Sequence, residues 1–157
     1  MTYNIEDKKI MYNTFKARNK SRLQELINFA KESAFNKIGI ANCKAVQPYA
    51  EKLADILTNA GFDVYSINCK DSGLNGNSVC DDMSGPCCDP LSQAQYLNSK
   101  NTDLNINLGL CLGHGIIFAK HSVAPVTTFF QHHRMRLAGL FHGATPYLLN
   151  IQHWTER

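Results

Sequence analysis

The sequence predicts a single α/β domain of three layers, with helices on both faces of a mainly parallel, Rossmann-like sheet. Short apolar runs rich in β-branched residues alternate with longer segments of helical periodicity. This is the order of a parallel sheet joined by right-handed crossovers. The length of 157 residues suits one domain. Because no repeat or linker divides the chain, residues 1–157 are predicted to form one α/β domain.

The first half of the chain contains the clearest elements. Residues 1–33 form an N-terminal helical segment, and residues 13–33 carry apolar side chains at the helical period. Residues 37–41 are short, apolar and β-branched, which is typical of a buried strand. Residues 49–59 have one apolar face, and Gly61 follows as a stop signal, so a helix is predicted there.

The second half continues the alternation. Asp89 and Pro90 are typical of a helix start. Strands are predicted at residues 62–68, 104–110 and 125–130, with a helix at residues 91–99.

The glycines after the third predicted strand do not form a nucleotide-binding motif. Gly109, Gly113 and Gly115 match neither the dinucleotide pattern nor the Walker pattern with its lysine. We instead expect Gly113 to Gly115 to form a tight turn that lets the backbone approach a site. No organic cofactor is therefore predicted.

Two segments lack periodicity. The loop of residues 70–90 is rich in Gly, Asn, Asp and Ser, and it contains Cys80, Cys87 and Cys88. Loops of this length in a compact domain are usually functional or mobile. Cys80 and Cys87 are explained equally well as accessory ligands or as bystanders. The divergent tail, residues 131–157, has no readable pattern, and we expect its histidines to be exposed or core residues rather than ligands.

Composition narrows the possible partners. The net charge of +3 is small and its lysines and arginines are scattered, so we expect no nucleic-acid partner. No run approaches the roughly 20 apolar residues of a membrane span, and the N-terminus lacks the apolar core of a secretory signal. We therefore expect a cytoplasmic protein with no membrane partner. In that compartment, six cysteines indicate metal binding or catalysis rather than disulfides.

Four cysteines occupy related positions in the predicted fold. Cys43, Cys69 and Cys111 follow the ends of three predicted strands, and Cys88 directly precedes a predicted helix. The carboxyl ends of parallel strands meet at one edge, where such folds bind ligands. Helix N-termini favour thiolates, and converging thiolates require a cation. The sequence therefore predicts zinc or an iron–sulfur cluster at these cysteines, with His114 as a further ligand or a hydrogen-bond donor to one.

Other interpretations stay open. Each strand-end cysteine alone is as typical of a small buried apolar residue. A thiol-dependent enzyme would use Cys88 or Cys111 as nucleophile and His114 as base. A non-catalytic sensor or scaffold would bind a small molecule in the crevice, with the 70–90 loop as a lid. The sequence does not determine the identity of the metal, the identity of a substrate or the oligomeric state.

Several short motifs give the chain a family resemblance. They are Lys37 to Cys43 (KIGIA-x-C), Cys69-Lys70, Cys88-Asp89-Pro90 with Gln93-Ala94, Gly109 to His114, and Ser122 to Thr127. In these motifs the chain resembles the domain-of-unknown-function 1847 family, a group of prokaryotic proteins described as metal-binding candidates. The resemblance implies a metal-associated α/β domain and assigns no reaction.

The sequence also departs from the family pattern. Gly115 stands where an aspartate is common, which removes an acidic group from the predicted site. Family members usually carry a cysteine-rich segment at the N-terminus, whereas residues 1–36 of this sequence contain no cysteine. After Thr128, residues 132–134 replace the usual Lys-Asp-Arg stretch, and the tail diverges.

Overall fold

A four-stranded sheet forms the centre of the molecule. The computed structural model describes residues 2–19 and 21–130. The sheet order is β2-β1-β3-β4, and every neighbouring pair is parallel. The strands are β1 (Lys37–Asn42), β2 (Asp63–Asn68), β3 (Leu104–Leu108) and β4 (Val126–Phe130). The sheet predicted to be mainly parallel is thus parallel throughout the described residues.

Five helices accompany the strands in the described part of the chain. They are α1 (Ile5–Ala17), α2 (Arg22–Glu32), α3 (Gln47–Asn59), α4 (Pro90–Ser99) and α5 (Leu112–His121). Two single 3₁₀ turns, Lys44–Val46 and Gly76–Ser78, lie in the loops. None of these helices is both long and apolar enough to cross a bilayer.

One face of the sheet is covered by α2 and α3. Strand side chains alternate between faces, so β1 and β3 present every second residue to these helices. The packed core on this side includes Leu26 and Ala30 of α2, Leu53 and Leu57 of α3, and Ile38, Ile40, Leu104, Ile106 and Leu108 of the strands.

The opposite face is covered by α4 and α5. Ala94 and Leu97 of α4 and Phe118 of α5 are fully buried against it, together with Ala41 of β1. Because the sheet is buried on both faces, all five residues of the central strand β3 are buried, including the polar Asn105 and Asn107. The three-layer α/β architecture predicted from the sequence is confirmed.

The direction in which successive strands are added to the sheet is opposite for β1 to β2 and for β3 to β4. From β1 the chain crosses through α3 to β2 on one side of the sheet, whereas from β3 it crosses through α5 to β4 on the other. This topological switch lies at the carboxyl ends of β1 and β3, the usual ligand position in open α/β sheets.

The N-terminal segment contains two helices where the periodicity predicted one continuous helix over residues 13–33. The Ser21 hydroxyl accepts a hydrogen bond from the Gln24 backbone N–H at 3.4 Å and starts α2. Ser-x-x-Gln is a capping pattern, so the break has a sequence signal. Phe15, predicted on the buried face, is 61% exposed because it belongs to α1.

The glycine segment after β3 also differs from its prediction. Gly113 to Gly115 form the first part of α5 rather than a tight turn. The turn out of β3 is made by Gly109, whose φ of 71° favours glycine. A Cβ on Gly115 would lie 2.7 Å from Nδ2 of Asn107, so glycine is needed for α5 to approach β3 this closely.

The predicted loop of residues 70–90 lies between β2 and α4 and has its own internal bonds. Asn75 and Pro86 form an isolated antiparallel bridge. The Lys70 ammonium donates to the carbonyl oxygen of Pro86 at 2.7 Å, and the Gly76 N–H donates to that of Gly85 at 2.8 Å. The predicted tail, residues 131–157 with its histidines, lies outside the described residues.

Candidate functional site

Two of the predicted ligands extend neighbouring strands. Cys43 follows β1 and Cys69 follows β2, and the parallel register pairs Asn42 with Asn68. The N–H of Cys43 donates to the carbonyl of Leu108 at 3.1 Å, while that of Cys69 donates to the carbonyl of Asn42 at 2.9 Å. The two cysteines therefore continue the sheet ladder side by side, and each thiol affects the pKa of the other.

A third thiol approaches from the start of α4. Sγ of Cys88 lies 3.4 Å from Sγ of Cys69. The backbone N–H of Asp89 donates to the Cys69 carbonyl at 2.8 Å, which holds the two chain segments together. Cys69 thus contacts the Cys88 thiol at the start of α4 and lies beside Cys43, which continues the neighbouring strand.

Asp89 fixes the helix that carries Cys88. Its Oδ1 accepts from the Ser92 N–H at 2.9 Å and its Oδ2 from the Ser92 hydroxyl at 2.6 Å, which caps α4. Partial burial raises the pKa of the Asp89 carboxyl, but these hydrogen bonds outweigh it, so the pKa lies below its usual value. Asp89 is therefore charged at neutral pH.

Opposing effects act on the pKa of each of the two strand-end thiols, Cys43 and Cys69. Burial raises the pKa of Cys69, which is 2% exposed, and the adjacent Cys88 adds to the effect. The Lys44 N–H, 3.4 Å from Sγ of Cys69, acts the other way. Burial also raises the pKa of Cys43, offset in part by the Ala45 N–H and the charge of Lys70. Without a cation, both thiols are held in the protonated form.

The remaining predicted ligands lie on α5. Cys111 is the N-cap residue of α5 with no side-chain cap bond, and His114 belongs to the first turn. Both lie beyond the carboxyl end of β3, so all five predicted residues share one edge of the sheet. Within the described residues, no hydrogen bond joins Cys111 or His114 to the three other thiols.

No complete metal-binding group is preformed. Among residues 2–19 and 21–130, no three or more His, Cys, Asp or Glu side chains are arranged to hold a metal ion. The assignment of Cys43, Cys69, Cys88, Cys111 and His114 as ligands stays a prediction.

The two loop cysteines have different surroundings. Cys87 is partly buried, and its thiol donates to the Cys88 carbonyl at 3.5 Å. Cys80 is exposed on the 70–90 loop, and its N–H donates to the carbonyl of Gly76 at 3.0 Å. Neither thiol is bonded to Cys69, so Cys80 is suited as a control position.

Sequence reasoning missed Gln93 as part of the site. Its side chain is 1% exposed, and Nε2 donates to the carbonyls of Asn42 at 3.1 Å and Ile67 at 2.9 Å. Oε1 is buried without a hydrogen-bond partner. Gln93 follows the Asp89 cap by four residues, one helical turn, so a glutamine at this position on a sheet-facing helix was the available signal.

The fold and site define an all-parallel α/β protein with thiols gathered at the carboxyl edge of its sheet. The family described as "Protein of unknown function (DUF1847)" matches residues 3–129, and the chain belongs to this family. The resemblance seen in the sequence motifs is thereby confirmed.

One relative is an uncharacterized protein of Methanocaldococcus jannaschii. It is 42% identical over 121 residues, which cover 74% of this chain and 62% of the relative. The chain thus spans about three-fifths of the length of that relative. No solved structure matches the chain.

Proposed function

We propose that this protein holds a metal centre, either zinc or an iron–sulfur cluster, through cysteine thiolates at the carboxyl edge of the sheet. Cys43, Cys69 and Cys88 would be ligands, and Cys111 or His114 would complete the set. The observation that carries the proposal is the 3.4 Å separation of the Cys69 and Cys88 sulfurs beside the Cys43 thiol. Three thiols far apart in sequence thus converge where α/β folds bind ligands.

The sulfur separation suits two ligands of one metal ion. Zinc–sulfur bonds are about 2.3 Å long, so two thiolates of a tetrahedral zinc lie about 3.8 Å apart. The Cys69 and Cys88 sulfurs need to separate by only a few tenths of an ångström. In a [2Fe–2S] cluster with four cysteines, two thiolates also share one iron. Mononuclear zinc and [2Fe–2S] are therefore the species that this pair favours.

Completing the coordination requires side-chain movement. No three donors already surround a common point in the described residues, so Cys43 and Cys88 must turn toward the same ion. In this proposal the fourth ligand is Cys111, the N-cap of α5, or His114, the third residue of that helix. The Cys111 side chain makes no hydrogen bond that caps α5, so such a bond does not prevent it from turning toward the ion.

A cation at this position would favour the thiolate forms of its ligands. Cys43 and Cys69 have raised pKa values because burial disfavours their thiolates, and a bound cation would reverse this preference. Metal binding must therefore release protons and strengthen as the pH rises. The Lys44 N–H and the charge of Lys70 contribute to thiolate stabilisation.

The proposal is tested by elemental analysis and absorption spectroscopy of protein purified without oxygen. We expect one metal centre per chain, colourless for zinc and brown for a cluster. Cys69→Ser should lose the metal, whereas the matched control Cys80→Ser should keep it. Absence of stoichiometric metal from the wild type, or full retention by Cys69→Ser, would overturn the proposal.

A second candidate is a thiol-dependent enzyme. Cys111 is the N-cap of α5 and His114 is its third residue, and residues three apart are neighbours on the surface of a helix. His114 could then accept the proton of Cys111, with Cys88 as the alternative nucleophile. Iodoacetamide labelling of metal-free protein tests this candidate. One cysteine that alkylates far faster than the others, and slows in His114→Ala, supports it; uniform slow labelling excludes it.

A further inference from the structure

The thiol pair nearest to the sheet also has the geometry of a redox site. We propose that Cys69 and Cys88 form a reversible disulfide in the metal-free protein. Formation of this disulfide does not require that the protein bind a metal at any stage. Its regulatory effect rests on the function proposed above, because oxidation would remove two ligands of the metal centre together.

The two sulfurs are already in contact. They lie 3.4 Å apart, and a disulfide requires about 2.05 Å, so closure needs a movement of little more than an ångström. The Asp89 N–H donates to the Cys69 carbonyl at 2.8 Å and keeps the two backbone segments adjacent. The pair is therefore held near bonding distance by the fold rather than by chance encounter.

The different exposure of Cys69 and Cys88 determines the order of the chemical steps. Cys69 is 2% exposed, whereas Cys88 is only partly buried, so a small oxidant reaches Cys88 first. The oxidant is a low-molecular-mass disulfide such as oxidised glutathione. The Cys88 thiolate attacks it, forms a mixed disulfide and releases one glutathione, which takes up a proton.

The second step closes the internal bond. The Cys69 thiol first gives its proton to solvent, and its thiolate attacks Sγ of Cys88. The mixed disulfide breaks, and the second glutathione leaves as a thiolate that takes up a proton. The two protein thiols lose two electrons and two protons in total, and one oxidised glutathione becomes two thiols. Cys69 is thus the resolving thiol that protects Cys88 from lasting modification.

The neighbouring thiol Cys43 is a poorer partner for Cys69. Both residues continue adjacent strands, and their N–H groups are bonded to Leu108 and Asn42 of the ladder. Rotation of either backbone would break these bonds. Cys88 lies outside the ladder, at the junction of the 70–90 loop and α4, and can adjust toward Cys69.

The experiment uses the full chain, stripped of metal with a chelator and exposed to oxidised glutathione. Free thiols are then alkylated under denaturing conditions, and the peptides are mapped by mass spectrometry. We expect one intramolecular link, Cys69 to Cys88, with the other four of the six cysteines alkylated, and its complete loss on reduction. Cys80→Ser should behave identically, and Cys88→Ser should leave Cys69 free.

Other results would overturn the proposal. They are a stable glutathione adduct on Cys88 without closure, a link between Cys43 and Cys69, or no oxidation of either thiol. Since Cys88→Ser could perturb the fold, the wild-type peptide map alone decides the pairing.

A second experiment tests the disulfide proposal and the metal proposal independently. Zinc-loaded protein is oxidised in the presence of a chromogenic zinc indicator, and we expect one zinc released per disulfide formed. Disulfide formation in a protein that never binds metal would refute the metal centre and leave the redox site standing. Metal binding without any disulfide would refute the redox site alone.

Discussion

The side-chain amide of Gln93 donates a hydrogen bond of 3.1 Å to the backbone carbonyl of Asn42, the last residue of β1. The same nitrogen donates to the carbonyl of Ile67 in β2 at 2.9 Å. Gln93 therefore ties together the ends of the two strands that continue into Cys43 and Cys69. The separation of these cysteines depends on a residue that contributes no ligand itself.

Replacement of Gln93 by methionine should weaken both the fold and the site. Gln93→Met keeps the volume but loses two buried hydrogen bonds, so we expect the free energy of unfolding to fall by about 1–2 kcal/mol. Loss of such a supporting contact typically lowers metal affinity by about 10- to 100-fold. Urea unfolding and competition with a zinc chelator measure the two effects.

Gln95 supplies the matched control for this variant. It lies on the same helix but is exposed, so Gln95→Met should leave stability and metal affinity within error of the wild type. Equal stability losses in the two variants would show that the effect comes from α4 and not from the strand ends.

The two glycines of the first turn of α5 should respond in opposite ways to alanine. A Cβ on Gly115 would lie 2.7 Å from Nδ2 of the buried Asn107, whose Oδ1 accepts from the Leu110 N–H. We expect Gly115→Ala to displace Asn107 and to cost about 1–2 kcal/mol of stability. Gly113 has no atom within 4 Å of such a Cβ, so Gly113→Ala should stabilise by up to about 1 kcal/mol through helix propensity.

Thermal unfolding of both variants provides the measurement. A Gly115→Ala protein as stable as Gly113→Ala would contradict the close approach of α5 to β3.

The metal-free protein should lose stability at alkaline pH. Burial raises the pKa of Cys69 and of Cys43 in the folded chain. The unfolded chain then loses these protons first, so their contribution is complete below the unfolded pKa of about 8.5 and is lost as pH rises through the folded pKa. Urea unfolding between neutral and alkaline pH, in the presence of reductant, measures the decline.

Serine substitutions identify the groups responsible. Cys69→Ser should flatten the alkaline decline because serine does not titrate there, while Cys80→Ser should retain it. An unchanged slope in Cys69→Ser would assign the decline to other groups.

Metal removal should loosen the 70–90 loop before it unfolds the sheet. Cys69 and Cys88 stand at the two ends of this loop, so a shared ion would anchor both ends. Ordering each residue costs about 1–2 kcal/mol of backbone entropy, and the loop contains few apolar side chains that offset it. Hydrogen exchange with and without chelator should show lost protection in the loop and unchanged protection in β1 and β3. Equal loop protection in both states would refute this prediction.

The architecture can be predicted from the sequence because the patterns that indicate strands and helices are local and repeated. The apolar runs of β1, β2 and β3 and the helical patterns between them imply parallel crossovers, and parallel strands bring their carboxyl ends together. For this reason the sequence alone predicts that one edge of the sheet carries Cys43, Cys69, Cys88 and Cys111.

Tertiary contacts account for what the sequence analysis missed. Gly113 and Gly115 have low helix propensity, yet the burial of Phe118 against the sheet stabilises α5. The Gln93 side chain bonds to two strands that are separate in sequence, so its position one helical turn after the Asp89 cap does not identify its partners. The contact between Cys69 and Cys88 likewise depends on side-chain geometry that spacing does not encode.

X-ray absorption at the metal edge, on protein purified without oxygen, tests the central claim most directly. We predict a first shell dominated by sulfur at about 2.3 Å, with at least three sulfur scatterers, as Cys43, Cys69 and Cys88 would provide. The Cys69→Ser variant should lose this shell, and Cys80→Ser should keep it. A first shell of only nitrogen and oxygen atoms in the wild-type protein would contradict a thiolate metal centre.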